Sequence, residues 1–275
     1  MKACNLDPLL QGVEDNLTSF IENIKCIQET FFYSEQTLEK QLKDANKQYD
    51  DYVNKHHKIE ADGKITLNVT REYNKLARRR ERANRAQELI PSNYVVSLVA
   101  MFDTFIAGLI RCLYGIKPEL LMQSERQFKY LELKQLDSIS DVQRLVIEEK
   151  IDAILRDSHI KQLEWLAKSF GLGTLNTKDF EEWSDFVELT ERRNLFVHSN
   201  GIVSKQYIDI CSKNEALAPN ISEGDRLNVD REYFEKSYRV LYTIAIMLSQ
   251  TMLNKVYLHT HPKAETDIDS CIIKQ

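Results

Sequence analysis

The sequence of 275 residues is 43% hydrophobic and 29% charged, which is enough apolar material for a sizeable core in one large domain or two small ones. Only 8 glycines and 5 prolines are present, and because sheet proteins need many turns, this scarcity favours an all-α fold of long helices. The net charge of -5 argues against a generally basic nucleic-acid-binding protein, so any attraction for phosphate has to come from a local patch.

The first ninety residues predict two helices joined by a turn. Residues 8–58 contain almost no helix breaker apart from Gly12 and are rich in Glu, Lys, Gln and Leu, which indicates one long helix or a bent pair. A turn is expected around Asp62 and Gly63, together with a short extended segment. A second helix is predicted over residues 70–90.

The second predicted helix is locally basic. Between Arg71 and Arg85 it carries six arginines and one lysine against two glutamates. One interpretation is a solvated helical face stabilised by salt bridges. The other is a strip that contacts RNA phosphates, because an acidic protein has to concentrate positive charge locally to attract a polyanion. The candidate phosphate contacts are Arg78, Arg79, Arg82 and Arg85.

An apolar segment follows and predicts a central helix. Pro91 and Ser92 indicate a break, with Ser92 as the N-cap of the new helix. Residues 94–114 are almost continuously apolar, and their length is enough to cross a membrane. Asp103 near the middle opposes a membrane span, since a charge there costs ~2.5–3.5 kcal/mol on insertion scales. Arg111 lies eight residues after Asp103, so both charges occupy one face, which we expect to meet a polar site or a partner.

The remaining chain predicts further helices and no nucleotide-binding loop. Residues 118–170 carry apolar side chains at helical spacing, and residues 230–259 predict a last long helix. Residues 171–173 (Gly-Leu-Gly) indicate a linker, because a dinucleotide loop needs a third glycine and a preceding strand. The expected organisation is an N-terminal helical region over residues 1–90, a helical domain over 91–260 and a polar tail over 261–275.

Residues 177–200 predict a helix with defined ends. Thr177 is a candidate N-cap, and Asn200 with Gly201 is a candidate C-terminal stop. At about 100° per residue, one arc of this helix is apolar and the opposite arc is polar. The apolar arc holds Phe180, Trp183, Phe186, Val187, Thr190 and Val197, and the polar arc holds Glu181, Ser184, Asp185, Glu188 and Arg192.

Three polar residues border the apolar arc in the last two turns. Asn194 falls inside the arc, and Arg193 and His198 flank it about 140° apart. An arginine offers a planar fork of donors for a phosphate that gains charge in a transition state, and a histidine exchanges protons near neutral pH. Asn194 is one turn from His198 and can orient its ring. Without a carboxylate cluster, this set suits metal-free cleavage of RNA beside its 2′-hydroxyl. The alternative is a histidine with a purely structural role.

The motif Arg193-Asn194-x-x-x-His198 at the end of a helix resembles the signature of the HEPN family (higher eukaryote and prokaryote nucleotide-binding domains). Two segments extend the resemblance: the aromatic, acid-containing run from Tyr94 to Arg111, and the run from Glu191 to Val203. The resemblance implies a HEPN-like helical bundle that dimerises so that two motifs face each other. It also implies metal-free RNA cleavage, with Arg193 and His198 catalytic and Asn194 supporting them.

The same resemblance implies a setting in toxin, abortive-infection or antiphage defence, with RNA as substrate and a homodimer through the motif helices. The apolar surface near Leu195 and Phe196 is a candidate interface, and Arg192 is a further candidate RNA contact. HEPN toxins controlled by nucleotidyltransferases carry a tyrosine two residues after the histidine. Here that position is Asn200, so we do not expect that modification, and an antitoxin or another defence protein stays a candidate partner.

No metal, cofactor or membrane is expected. The N-terminus lacks an apolar signal core and the five cysteines form no Cys-x-x-Cys pair, which favours a cytoplasmic location. Two functional alternatives stay open. One is a non-catalytic HEPN module that binds nucleotides or proteins, and the other is a helical scaffold whose basic helix binds nucleic acid without cutting it.

Overall fold

The computed structural model confirms an all-α fold that carries one small hairpin. It describes residues 8–59, 65–67, 70–123, 126–170 and 181–260. The helices are α1 (Pro8–His56), α2 (Arg71–Ile116), α3 (Tyr130–Leu133), α4 (Ile139–Leu155), α5 (His159–Phe170), α6 (Trp183–Ser199), α7 (Lys205–Lys213) and α8 (Arg231–Thr260), with a 3-10 turn at Pro118–Gln123. Strands β1 (His57–Ile59) and β2 (Ile65–Leu67) pair antiparallel, with Ile59 opposite Ile65.

Helix α1 is one continuous helix rather than a bent pair. Its buried side chains recur mostly seven residues apart, which is the spacing of a seam between two long helices. They are Val13, Phe20, Ile24, Phe31, Leu38, Ala45 and Tyr52. The seam packs along α2 and α8, where the rings of Phe31 and Phe234 stack with centroids 3.8 Å apart. The predicted extended segment after α1 is the hairpin, and Asp62 and Gly63 lie outside the described residues.

Helix α2 continues through Pro91, so the predicted break and the N-cap at Ser92 are wrong. The hydroxyl of Ser92 donates instead to the carbonyl of Glu88, 2.8 Å away, as in a helix interior. A proline in a helix costs one backbone hydrogen bond, and packing on both sides outweighs that cost: Ala83 before it and Val95 after it are both buried. The helix begins at Arg71, and its N-cap is Thr70, whose side chain accepts from the backbone N–H of Tyr73. One helix therefore crosses the expected boundary between residues 90 and 91.

The second half of α2 is the central core helix that the sequence predicts. Its buried residues include Leu98, Phe102, Phe105, Leu109 and Leu113, which pack against α1, α4, α6 and α8. Within the described chain α2 is the one helix long and apolar enough to cross a bilayer, and half of its most apolar window is buried by the fold. Packing in the core accounts for the buried half of this window.

Helix α6 carries the motif, and helices α7 and α8 follow it. The backbone of Asn200 is left-handed at φ 50°, and Gly201 follows at φ 78°, so the predicted C-terminal stop of α6 is confirmed. Helix α6 begins at Trp183, and Thr177 and Phe180 lie outside the described residues. Helix α7 was not predicted, and α8 confirms the last long helix.

Candidate functional site

The motif residue Arg193 projects from α6 towards α2, where Asp103 holds its guanidinium. Nη2 of Arg193 lies 3.4 Å from Oδ2 of Asp103, and Nη1 donates to Oδ1 of Asn194 at 3.2 Å. The two ion-paired side chains are 24% and 26% exposed, so the pair is partly shielded from water. Nε of Arg193 is buried and has no hydrogen-bond acceptor among the described residues. The exposed quarter of the side chain is therefore the part that a ligand can reach, whereas the buried Nε is closed to it.

Asp103 also binds a histidine that the sequence analysis did not select. Its Oδ1 lies 2.8 Å from Nε2 of His159, the first residue of α5, whose side chain is 9% exposed. The imidazole packs edge-on against the ring of Phe186. One carboxylate therefore connects Arg193 to α5. The expectation that Asp103 faces a polar site is confirmed, whereas Arg111 on the same helix pairs with Glu148 of α4, away from the motif.

Asn194 also lies beside Glu191, whose side chain is buried at 6% exposure. Burial raises the pKa of Glu191, and the nearby His159 and Asn194 lower it by less. Within the described chain Asn194 makes no hydrogen bond to His198, so the predicted contact between the two is not formed. Oδ1 of Asn194 instead accepts a hydrogen bond from Arg193.

His198 occupies the last turn of α6 with its side chain exposed. It makes no hydrogen bond or ion pair with any residue that the structure describes. Val197 beside it is 48% exposed, which corrects its predicted place on the apolar arc, while Trp183, Phe186, Val187 and Thr190 of that arc are buried. The structure thus places Arg193 and His198 on one helix but does not bring them together within one chain.

Arg192 lies in a separate buried cluster and is removed from the candidate RNA contacts. Its Nε donates to Glu188 at 2.6 Å, and its guanidinium lies 3.9 Å from the ring centroid of Tyr233. The hydroxyls of Tyr207 and Tyr233 both donate to the same Glu188 carboxylate. Glu188 and Arg192 are only 12% and 13% exposed, so this part of the polar arc is covered by the fold. Burial raises the pKa of Tyr207, and the Glu188 charge raises it further.

The candidate interface residues Leu195 and Phe196 pack mainly inside the chain. Leu195 is 4% exposed and joins a small apolar cluster with Val203, Tyr207 and Cys211. Phe196 is partly buried against the main core. The apolar side chain that this end of α6 leaves exposed is Val197.

The four candidate phosphate contacts on α2 are all solvent-accessible, but they do not share one environment. Nη1 of Arg79 donates to Gln48 of α1 at 2.7 Å, and Arg85 pairs with Glu81 at 2.6 Å. Arg78 and Arg82 form no ion pair with a described residue. Both the salt-bridged and the phosphate-binding interpretations therefore keep some support.

Compared with known families, curated proteins and solved structures, the chain matches none. Among the residues described, no group of three His, Cys, Asp or Glu side chains is placed to hold a metal ion. A function for this chain therefore has to be inferred from the motif and from the geometry around it.

The sequence indicates Arg193, Asn194 and His198 as site residues, but it does not indicate His159 or Glu191. The position of Asp103 and Arg111 on one face of α2 indicated that Asp103 meets a polar site. Nothing in the local sequence links His159 to Asp103, because 56 residues separate them. Glu191 stands next to the motif, and its burial depends on how α6 packs.

Proposed function

We propose that this chain is a metal-independent endoribonuclease of the HEPN type, working in toxin, abortive-infection or antiphage defence. The observation that carries the proposal is the presence on one helix of an arginine held by hydrogen bonds and a solvent-exposed histidine. Asp103 and Asn194 hold the Arg193 guanidinium, while His198 is exposed five residues later. Cleavage of an RNA phosphodiester requires a positioned cation to stabilise the transition state and a group that accepts or donates protons.

In the proposed reaction the substrate supplies its own nucleophile. His198 accepts the proton of a 2′-hydroxyl, and the 2′-oxygen attacks the adjacent phosphorus. Arg193 stabilises the extra negative charge on the phosphoryl oxygens as the bond to the 5′-oxygen breaks. The leaving 5′-oxygen takes up a proton from water, and His198 returns its proton to water, so the products are a 2′,3′-cyclic phosphate and a 5′-hydroxyl. DNA lacks the nucleophile and is not cut.

The working unit in this proposal is a dimer through the ends of two α6 helices. Arg193 and His198 lie about 140° apart around one helix, and Arg193 turns towards Asp103, so one copy does not flank a phosphate with both. A two-fold contact repeats each pairing twice and sets His198 of one chain opposite Arg193 of its partner. The exposed Val197 next to His198 supplies an apolar contact at the centre of such an interface.

The test is cleavage of several single-stranded RNAs in excess EDTA. The wild type should produce 2′,3′-cyclic phosphate ends, and a substrate with a single 2′-deoxy nucleotide at the cut position should resist. His198→Ala should slow cleavage by roughly 10²–10⁴-fold, as expected for loss of a proton-transfer group. Arg193→Lys should also be slow, because lysine keeps the charge but loses the planar fork.

Arg239→Ala is the matched control, since Arg239 is a solvent-accessible arginine on α8 that forms no ion pair with a described residue. It should cut like the wild type, and all variants should keep the wild-type helical content. Equal cleavage by wild type and His198→Ala would overturn the assignment. Wild-type protein that binds RNA but does not cut it would favour the non-catalytic module instead.

A further inference from the structure

Five basic residues form one row along the N-terminal half of α2. Their spacings of three or four residues keep them within about 80° of arc around the helix. They are Arg71, Lys75, Arg78, Arg82 and Arg85, and all five are solvent-accessible. We call them the basic row. It spans about 21 Å at about 1.5 Å per residue, and no acidic residue falls within its arc.

The basic row differs from the other arginines of the same segment. Arg79 and Arg80 turn towards α1, where Arg79 donates to Gln48 and Arg80 lies over the ring of Tyr49. Within the row, Arg85 alone pairs with an acidic side chain among the described residues, that of Glu81. The other four members form no ion pair with a described residue. Such a run of unneutralised positive charge is unusual on a protein with net charge -5, and it attracts polyanions.

The motif helix lies on the same face of α2 as the basic row. Asp103 follows Arg85 by 18 residues, which is about five complete helical turns, so both side chains leave α2 in the same direction. Asp103 is the residue that holds Arg193 of α6. The basic row therefore points to the side of α2 on which the proposed catalytic arginine is bound.

A second contact places the row next to the end of α6 that carries His198. Arg226 donates to the carbonyl of Asn200, two residues after His198, at 3.2 Å. The same Arg226 nitrogen lies 3.7 Å from Oε2 of Glu88, three residues after Arg85. Since Arg193 meets α2 at Asp103, α6 runs back along α2 towards the row. The C-terminal end of α6, which carries His198, thus lies near the Arg85 end of the row.

We propose that the basic row and the motif form one continuous RNA-binding surface, in which a single strand runs from His198 along α2 towards Arg71. This inference rests on the proposed function for the identity of the polyanion. A single straight row of cations matches the phosphates of one strand, and contacts to phosphate carry no base preference. An unpaired strand also lets the 2′-oxygen reach the in-line position for attack, which a regular duplex prevents. The substrate is thus single-stranded RNA, bound several nucleotides to one side of the cut.

The experiment measures binding by full-length His198→Ala protein, which does not consume the RNA. The probes are fluorescently labelled 20-nucleotide and 6-nucleotide oligouridylates, titrated at several salt concentrations. The row variant combines Lys75→Gln, Arg78→Gln and Arg82→Gln. The matched control combines Lys40→Gln, Lys43→Gln and Lys47→Gln, which removes the same charge from solvent-accessible positions on α1, where Asp44 shares the face.

The row variant should bind the 20-mer at least tenfold more weakly than the parent protein. Its plot of log affinity against log salt should be shallower by about 2, because each phosphate of a single strand that the protein no longer neutralises reduces the slope by about 0.7. The control should match the parent, and the 6-mer should bind more weakly than the 20-mer because it covers less of the row.

Three results overturn the inference. Equal loss of binding in the row variant and the control would show that the row contributes only general positive charge. Unchanged binding by the row variant, with RNA cleavage intact in wild-type protein, would exclude the row from the RNA-binding surface. The nuclease proposal would not be affected. Tighter binding to a 20-base-pair RNA duplex than to the 20-mer would refute the single-stranded substrate. Absence of RNA binding and cleavage by the wild type would instead sink the proposed function itself.

Discussion

Replacing Asp103 with asparagine tests whether the carboxylate positions the proposed catalytic arginine. Asp103 accepts from Arg193 with one oxygen and contacts His159 with the other. Asparagine has almost the same shape but no charge, and it offers one oxygen where two are used. We expect Asp103→Asn to leave the helices intact, to loosen the Arg193 guanidinium and to slow cleavage.

The size of the effect follows from the burial of the pair. Both side chains are about one-quarter exposed, so the contact is neither a solvent-screened surface pair nor a fully buried one. Hydrogen bonds to charged groups contribute ~1.5–3 kcal/mol, and a loss of ~2 kcal/mol lowers Tm by roughly 4–8 °C in a chain of this size. Misplacement of the guanidinium by a fraction of an ångström should slow the chemical step by roughly 10–100-fold.

The assay combines thermal unfolding with cleavage kinetics well below the Tm of the variant. A positioning role lowers kcat while KM changes little, and Asp103→Glu should restore part of kcat because it restores the charge. The control is Glu148→Gln, which breaks the exposed pair with Arg111 on α2 and should cost under ~1 kcal/mol with no change in cleavage. Wild-type kcat in Asp103→Asn, together with a lowered Tm, would refute the positioning role and leave Asp103 a structural residue.

Two further predictions concern stability at the motif. Burial raises the folded-state pKa of Glu191, so its contribution to stability is present below the unfolded pKa near 4.5 and is lost as pH rises through the folded pKa. Glu191→Gln, which does not ionise, should therefore raise Tm at pH 7.5 and match the wild type at pH 4.5; an equal Tm shift at both pH values would contradict this. Gly201→Ala should destabilise by ~1–3 kcal/mol, because φ is 78° and the added Cβ would lie 2.8 Å from the carbonyl oxygen of Leu227. Denaturant unfolding measures that loss, and Gly224→Ala is its control, since φ is also positive there but the added Cβ meets no atom within 4 Å.

The overall fold was readable from composition and spacing. The scarcity of glycine and proline and the helical periodicity predicted α1, the central part of α2 and α8. The predicted break at Pro91 was wrong, because a local rule about proline gives no account of the packing of α1 along both halves of α2. The burial of Glu188 and Arg192 was missed for a similar reason: the helical period placed them on a polar arc, but α7 and α8 cover them with Tyr207 and Tyr233.

Part of the candidate site could be predicted from the sequence. Arg193, Asn194 and His198 stand close in sequence, so the motif was visible. The spacing of Asp103 and Arg111 indicated a face that meets a polar site or a partner. The contacts that fix Arg193 depend on tertiary packing between α2, α5 and α6, which one sequence does not specify. The same is true of Arg226, whose contacts with Asn200 and Glu88 relate the motif to the basic row.

Complementation between two inactive variants tests the central claim most directly. Arg193→Ala and His198→Ala proteins are purified separately, mixed, allowed to exchange subunits and assayed for RNA cleavage in EDTA. If His198 of one chain acts with Arg193 of its partner, each heterodimer contains one complete site and one empty site. With random exchange, the mixture should recover about one-quarter of the wild-type activity, while each variant alone stays inactive. Full activity of either variant alone, or a mixture that exchanges subunits but cuts no RNA, would contradict the composite site.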